Sequence, residues 1–166
     1  MGTVLKKNKY FTFLLILLLS FSCSDSIVFS KYKTLENSEW NSNENIFFEF
    51  EVLDTLNPKN IFINLRNNSK YAYSNIYIIS EMNFPNGTKI VDTLQYEMAN
   101  NKGEFLGKGF ANIKENKLFY KENKIFPELG TYSFKLRHAM RNNGETNSIP
   151  SLEGIQDGGL TIEKIK

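Results

Sequence analysis

"FPNGTKIVDTLQYEM", residues 84–98, is the stretch whose reading decides the fold. Asn86-Gly87 sits between two runs of apolar and polar residues in alternation. Asn-Gly tolerates positive φ at both central residues of a tight hairpin turn, so this dipeptide between such runs marks a hairpin. The spacing predicts that Ile76 to Phe84 pairs antiparallel with Thr88 to Tyr96.

Working outward, the same period of two recurs. "IFFEFEVL" (46–53) places Phe48, Phe50 and Val52 on one face and Glu49 and Glu51 on the other, the pattern of a half-buried strand. "NIFINLRN" (60–67) puts Ile61, Ile63 and Leu65 on one face, and "NIYIISEM" (75–82) leads into the hairpin. "GEFLGKGF" (103–110) reads as a glycine-punctuated edge strand. "LFYKENKIFPELGTYSFKLRHAM" (118–140) supplies two strands around a Pro127–Gly130 turn, and "GGLTIEKI" (158–165) closes the chain. Within it, "ELGTYSF" has the Gly-x-Tyr entry to a sandwich strand, in which the Tyr132 hydroxyl bonds back to the preceding corner. Seven to eight short strands with turns at regular spacing predict an all-β fold, an antiparallel β-sandwich of immunoglobulin-like or jelly-roll-like type, over residues 46–166.

The N-terminal part reads differently. Lys6, Lys7 and Lys9 precede an apolar run from Tyr10 to Phe21, and Ser20, Phe21 and Ser22 lead into Cys23. A basic start, about a dozen apolar residues and small residues at the break describe a secretory signal over residues 1–22. A membrane-spanning helix needs roughly 20 apolar residues, and Ser24, Asp25 and Ser26 restore polarity at once. The segment resembles a bacterial lipoprotein signal, with Ser20 where such signals usually carry Leu. In such signals the cysteine is diacylated and becomes the new N-terminus. Cys23 is the single cysteine of the chain and has no internal disulfide partner, so it is expected to be a lipid anchor. Residues 23–45 then form a tether and lead-in segment, broken by Ile27-Val28-Phe29 and Trp40.

Without the three lysines of the signal, 17 of the 20 Lys and Arg face 18 Asp and Glu. A net of about −1 gives no electrostatic case for nucleic acid, which calls for clustered basic residues. One histidine, His138, rules out a site with two imidazole ligands. The chain has no Gly-x-Ser-x-Gly elbow, no His-Glu-x-x-His and no phosphate-cradling Gly-Lys-Ser/Thr loop. The expectation is a protein without enzymatic activity, metal or cofactor. Asp157 beside Gly158-Gly159 is a lone carboxylate in a turn, too little for calcium.

The segment "KLRHAMRNNGETNSIPSLEGIQDGG" (135–159) begins in a strand and runs into a long loop, and long loops in compact domains often carry function. His138, Met140 and Arg141 at its root, with Asp157, are the candidate partner-contact residues. The alternative is that His138 and Met140 cap the core while Arg141 pairs with an acid such as Asp157. Asp25-Ser26-Ile27, Asp54-Thr55-Leu56 and Asp92-Thr93-Leu94 match a short O-glycosylation pattern; Ser26 and Thr55 are the candidate acceptors.

"NIFINLRNNSKYAYSNIYI", "FPNGTKIVDTLQYEMANNKGEFLGKGF", "KLFYKENKIFPELGTYSFKLRHAMR" and "LEGIQDGGLTIEK" resemble, in order, successive blocks of the GldH family, the gliding motility-associated lipoproteins of Bacteroidetes. The likeness runs from about Tyr32 to Lys164. Its most specific parts are Asp92-Thr93-Leu94, Leu106-Gly107-Lys108-Gly109 and His138-Ala139-Met140-Arg141; Phe105 stands where the family favours Trp. The resemblance implies an outer-membrane lipoprotein required for gliding, acting with other gliding or type IX secretion lipoproteins and with no known enzyme activity. Ser24 after the cysteine, rather than Asp, points to the outer membrane, and the single acid Asp25 favours a periplasm-facing domain over a cell-surface one. A glycan- or peptidoglycan-binding module is the alternative function, its aromatic residues serving as stacking platforms.

Overall fold

The computed structural model describes residues 26–165, which form ten strands and one 3₁₀ turn. The signal segment and Cys23 lie outside the described residues. One sheet holds β1 (Ile27–Thr34), β4 (Lys59–Asn67), β7 (Lys114–Lys124) and β10 (Ile155–Lys164), in the order β1-β10-β4-β7. The other holds β3 (Ile46–Val52), β5 (Asn75–Asn83), β6 (Lys89–Glu97) and β8 (Gly130–His138), in the order β3-β8-β5-β6. A two-stranded clasp of three residue pairs joins β2 (Glu39–Asn41) to β9 (Ser151–Glu153). Every ladder is antiparallel.

The alternation read in the sequence is the alternation of burial. In β3, Ile46, Phe48, Phe50 and Val52 are buried while Phe47, Glu49 and Glu51 are exposed. Ile61, Ile63 and Leu65 from β4, with Leu160 and Ile162 from β10, join the same core. Its centre is aromatic: Tyr132 stacks on Phe50 at 5.7 Å between centroids and meets Phe126 and Phe84 at 5.2 and 5.0 Å. Rings of this size dominate core energetics, and offset or edge geometry adds to their area burial. Truncating a fully buried member such as Ile63 to Ala costs about 2–5 kcal/mol. The Tyr132 hydroxyl donates to the Glu128 carbonyl at 3.1 Å, closing the corner expected of "ELGTYSF".

The hairpin pairs in the expected register, Ile76 with Tyr96 and Asn83 with Lys89. Its turn is of another type. The Gly87 amide donates to the Phe84 carbonyl at 3.0 Å, and Gly87 alone has positive φ, +85°. Pro85 presets the φ of the first central residue of a common four-residue turn, and Gly87 follows as a left-handed bulge. The Asn86 side chain accepts the Thr88 amide instead of bending its own backbone.

Three further differences follow from local chemistry. Residues 103–110 form no strand; they are tied by single bridges, Ala99 to Phe105 and Lys108 to Glu115. Gly109 has φ +155°, and a β-carbon there would lie 2.3 Å from the Ile113 carbonyl oxygen, so the chain folds back on itself. The long loop ends at Pro150, because β9 and β10 begin at Ser151 and Ile155. The segment assigned to tether and lead-in is sheet from Ile27 onward, since β1 pairs with β10. Ten strands therefore replace seven to eight.

β7 is an edge, and it carries Lys114, Lys117, Lys121 and Lys124 with two breaks of register against β4. Edge lysines and bulges discourage a neighbouring strand from adding on.

The topology gives the sandwich two distinct ends. The start of β1, the end of β10 and the loops 53–58, 84–88 and 125–129 share one; the loops 98–113 and 139–150 and the β2–β9 clasp share the other.

Candidate functional site

The structure separates the four candidate contact residues. His138 is 1% exposed, its ring meeting Trp40 edge-on at 5.6 Å. Neither ring nitrogen has a hydrogen-bond partner. Burial pushes the imidazole down to about 4, while the Trp40 backbone pulls the other way without reaching hydrogen-bond geometry. Met140 is also buried, and its sulfur accepts the Tyr77 amide at 3.2 Å. These two side chains are core, as the alternation Phe134, Leu136, His138 foreshadows. Arg141 is exposed at the root of the 141–150 loop, bridged through its backbone to Ser148.

Asp157 belongs elsewhere. It lies in a row that crosses all four strands of its sheet: Thr34, Asp157, Arg66 and Glu115 are successive register partners. The Thr34 hydroxyl donates to Asp157 at 2.6 Å, Arg66 approaches Asp157 at 3.9 Å and Glu115 at 3.4 Å, and Tyr32 donates to Glu115 at 2.7 Å. The Arg66 guanidinium also lies 4.3 Å from the Tyr32 ring centre. Burial, followed by the Glu115 carboxylate, pushes the Tyr32 phenol up to about 12. Arg141 makes no ion pair with Asp157. Among the described residues no group of three or more His, Cys, Asp or Glu side chains is placed to hold a metal.

The candidate glycan acceptors are both at the end where β1 begins. Ser26 is half-buried and its carbonyl accepts the Lys164 amide at 2.7 Å. Thr55 lies in the 53–58 loop, where the Asp54 carboxylate accepts the amides of Leu56 and Asn57. Trp40, Tyr71, Tyr120, Tyr132, Phe126 and Phe134 are packed inside, which assigns most of the aromatic content to the core rather than to sugar platforms.

The surface that alternation could not reveal is the 98–113 loop. Asn100 organises its first half: its side-chain oxygen accepts the Lys102 and Glu104 amides at 2.9 and 3.0 Å, and its amide group donates to the Glu104 carboxylate. The second half is clamped by reciprocal backbone bonds between Lys108 and Glu115, 2.9 and 2.7 Å. Gly107 permits this, since a β-carbon there would lie 2.8 Å from the Asn116 side-chain oxygen. Asn116 is itself buried and held by Asn67 at 2.8 Å. The pinned loop borders an open groove of about 740 Å³ with Leu106, Lys108, Phe110, Lys117 and Leu118 on its walls. Phe110 is 97% exposed and Leu106 52%. Holding bare apolar side chains on an ordered loop is a display arrangement, since exposed apolar groups on a rigid frame mark contact sites. Leu106-Gly107-Lys108-Gly109 was legible as a special stretch, but not as this one.

The fold is an antiparallel β-sandwich that carries exposed apolar side chains on its 98–113 loop. The chain belongs to the GldH lipoprotein family, whose model matches residues 27–162. It is 43% identical over 154 residues to the gliding motility lipoprotein GldH homolog of Christiangramia forsetii, covering 93% of this chain and 94% of that protein. It is 40% identical over 151 residues to gliding motility lipoprotein GldH of Flavobacterium johnsoniae, covering 91% and 93%. Among solved structures, the VP2 subviral particle of infectious bursal disease virus aligns at a TM-score of 0.39 and 14% identity, over 85% of this chain and 34% of that one. That likeness is too slight to bear on fold or function.

Proposed function

We propose that the chain is a non-catalytic interaction component of the gliding and type IX secretion machinery. Its signal is removed before Cys23, which is acylated and holds the domain on the outer membrane, facing the periplasm. The opposite end of the sandwich presents the 98–113 loop to other lipoproteins of the machinery. Phe110 carries this reading: a phenylalanine 97% exposed on a pinned loop, in a family whose relatives are named for gliding motility. Arg141 emerges at the same end and adds a fixed charge there.

The test is Phe110→Asp in cells of the source bacterium, with envelope level and domain folding measured alongside. The expected result is normal level and folding with loss of surface spreading and of crosslinks to partner lipoproteins. Intact gliding in that variant would place the contact elsewhere. Cys23→Ala is expected to leave a folded domain that no longer sediments with outer membranes.

A further inference from the structure

At the start of β1, exposed apolar side chains gather where the chain emerges toward Cys23. Leu53 is 79% exposed, Leu56 83%, Leu129 62%, Ile125 50%, Ile27 49% and Val28 44%. They come from separate segments, the start of β1 and the 53–58 and 125–129 loops, which the strand pairings bring to one end. An apolar cavity of about 200 Å³, lined by Val28, Phe29, Phe50, Leu53, Phe126 and Ile162 among others, continues this surface inward between the sheets.

We infer that this end of the sandwich rests on the lipid surface, with Leu53, Leu56, Ile125 and Leu129 entering the boundary between headgroups and acyl chains. The inference rests on the acylation of Cys23 proposed above. It follows from reach. Only three peptide steps separate Cys23 from Ser26, and these span at most about 11 Å however they are arranged. From Ser26 onward the chain is fixed, because its carbonyl accepts the Lys164 amide and Ile27 pairs with Glu163. An acyl group so close to Ser26 cannot hold the domain far from the bilayer, so one end must meet it, and the end that does is the apolar one.

The charged groups and two of the amides of the 53–58 loop are satisfied internally, which lowers the cost of approaching an apolar medium. Asp54 accepts the amides of Leu56 and Asn57 at 2.9 and 3.2 Å, and its carboxylate is paired with the Lys59 ammonium at 2.8 Å. The Lys59 ammonium also donates to the Asn57 carbonyl at 2.9 Å. The loop thus offers lipid its leucines and keeps its charges matched. Contact of this kind is hydrophobic, so salt is expected to leave it unchanged.

The experiment uses the full acylated protein, reconstituted in vesicles of phosphatidylethanolamine and phosphatidylglycerol. With Cys23 acylated, a cysteine introduced by Leu56→Cys is the single free thiol and takes an environment-sensitive fluorophore. Phe110→Cys is the control, displaced by the length of a nine-residue strand such as β5, about 30 Å. Nitroxide lipids are expected to quench the probe at position 56 severalfold more than the probe at 110, in low and high salt alike. Equal quenching with the N-terminus shown acylated by mass would overturn the inference and leave the anchor intact. An unacylated Cys23 would overturn the anchor itself and the inference with it. A glycan found on Thr55, between the two leucines, would also overturn it.

Discussion

Tyr32 lies across Gly159: a β-carbon on that glycine would come within 2.7 Å of the tyrosine Cδ1. The missing side chain on β10 leaves the gap through which the ring, starting from β1, reaches Arg66 on β4 and Glu115 on β7. Gly158 does the complementary thing inward, where a β-carbon would lie 2.3 Å from Ile46 Cδ1. Asp157-Gly158-Gly159 is thus a packing device for both faces of one sheet.

Gly159→Ala is expected to lift Tyr32 off the row and cost ~1–3 kcal/mol, the range for overpacking a close contact. The check is a double-mutant cycle by urea unfolding. In the Tyr32→Ala background the same substitution should cost much less. Additive losses would show that the two residues do not share one space.

His138 makes stability depend on acid. Its folded value is lowered to about 4 from an ordinary 6.5, with burial the main cause. A neutral imidazole is favoured in the fold, so stability is full above 6.5. It falls as the pH drops from 6.5 toward 4, because the unfolded chain takes up the proton first. The loss over that window is on the order of 3 kcal/mol. His138→Leu should flatten this limb while keeping the domain folded at pH 7. Urea midpoints at pH 7 and pH 5 decide it; an unchanged slope would assign the acid sensitivity to the carboxylates.

Tyr132→Phe removes one hydroxyl and nothing else, since the ring stays among Phe50, Phe84 and Phe126. Losing its bond to the Glu128 carbonyl is expected to cost ~1 kcal/mol. A fall much larger than that in thermal or urea unfolding would mean the corner does more than close a turn.

Gly154 joins the short clasp to β10 with φ +86°, and a β-carbon there would lie 2.2 Å from the Tyr71 amide nitrogen. Backbone cannot yield as a side chain tip can. Gly154→Ala is therefore expected to cost on the order of 3–4 kcal/mol, whereas Arg141→Glu, at an exposed side chain with no ion pair, should stay within about 0.5 kcal/mol. Hydrogen exchange should show the first change opening β2 and β9 before the main sheets.

How much of this was legible in the chain follows the range of each signal. The hairpin register and the inward faces of β3, β4 and β8 could be read because period two is a local property. The turn type departs from the Asn86-Gly87 expectation because Pro85 sets the backbone one residue earlier. β1 escaped because an edge strand covered on one side needs little alternation: its eight residues hold none that is fully buried. The alternation correctly put His138 beside Phe134 and Leu136, but only tertiary packing shows that this face is the interior. Asp157 is a candidate contact residue by sequence, with pairing to Arg141 as the alternative; its partners, Thr34 and Arg66, come from β1 and β4, which no local pattern connects to it. The apolar end at the start of β1 is likewise assembled from distant segments.

The pairing of β1 with β10 also decides how the domain bears a load. Seven register partners link the two strands, and their hydrogen bonds lie crosswise to the strand direction. A pull entering at Ser26 and resisted at the far loops runs along β1. It strains that whole set of bonds in shear together, where a pull across the strand would peel them apart singly. Force in that direction would have to break the ladder as a set before the first strand let go.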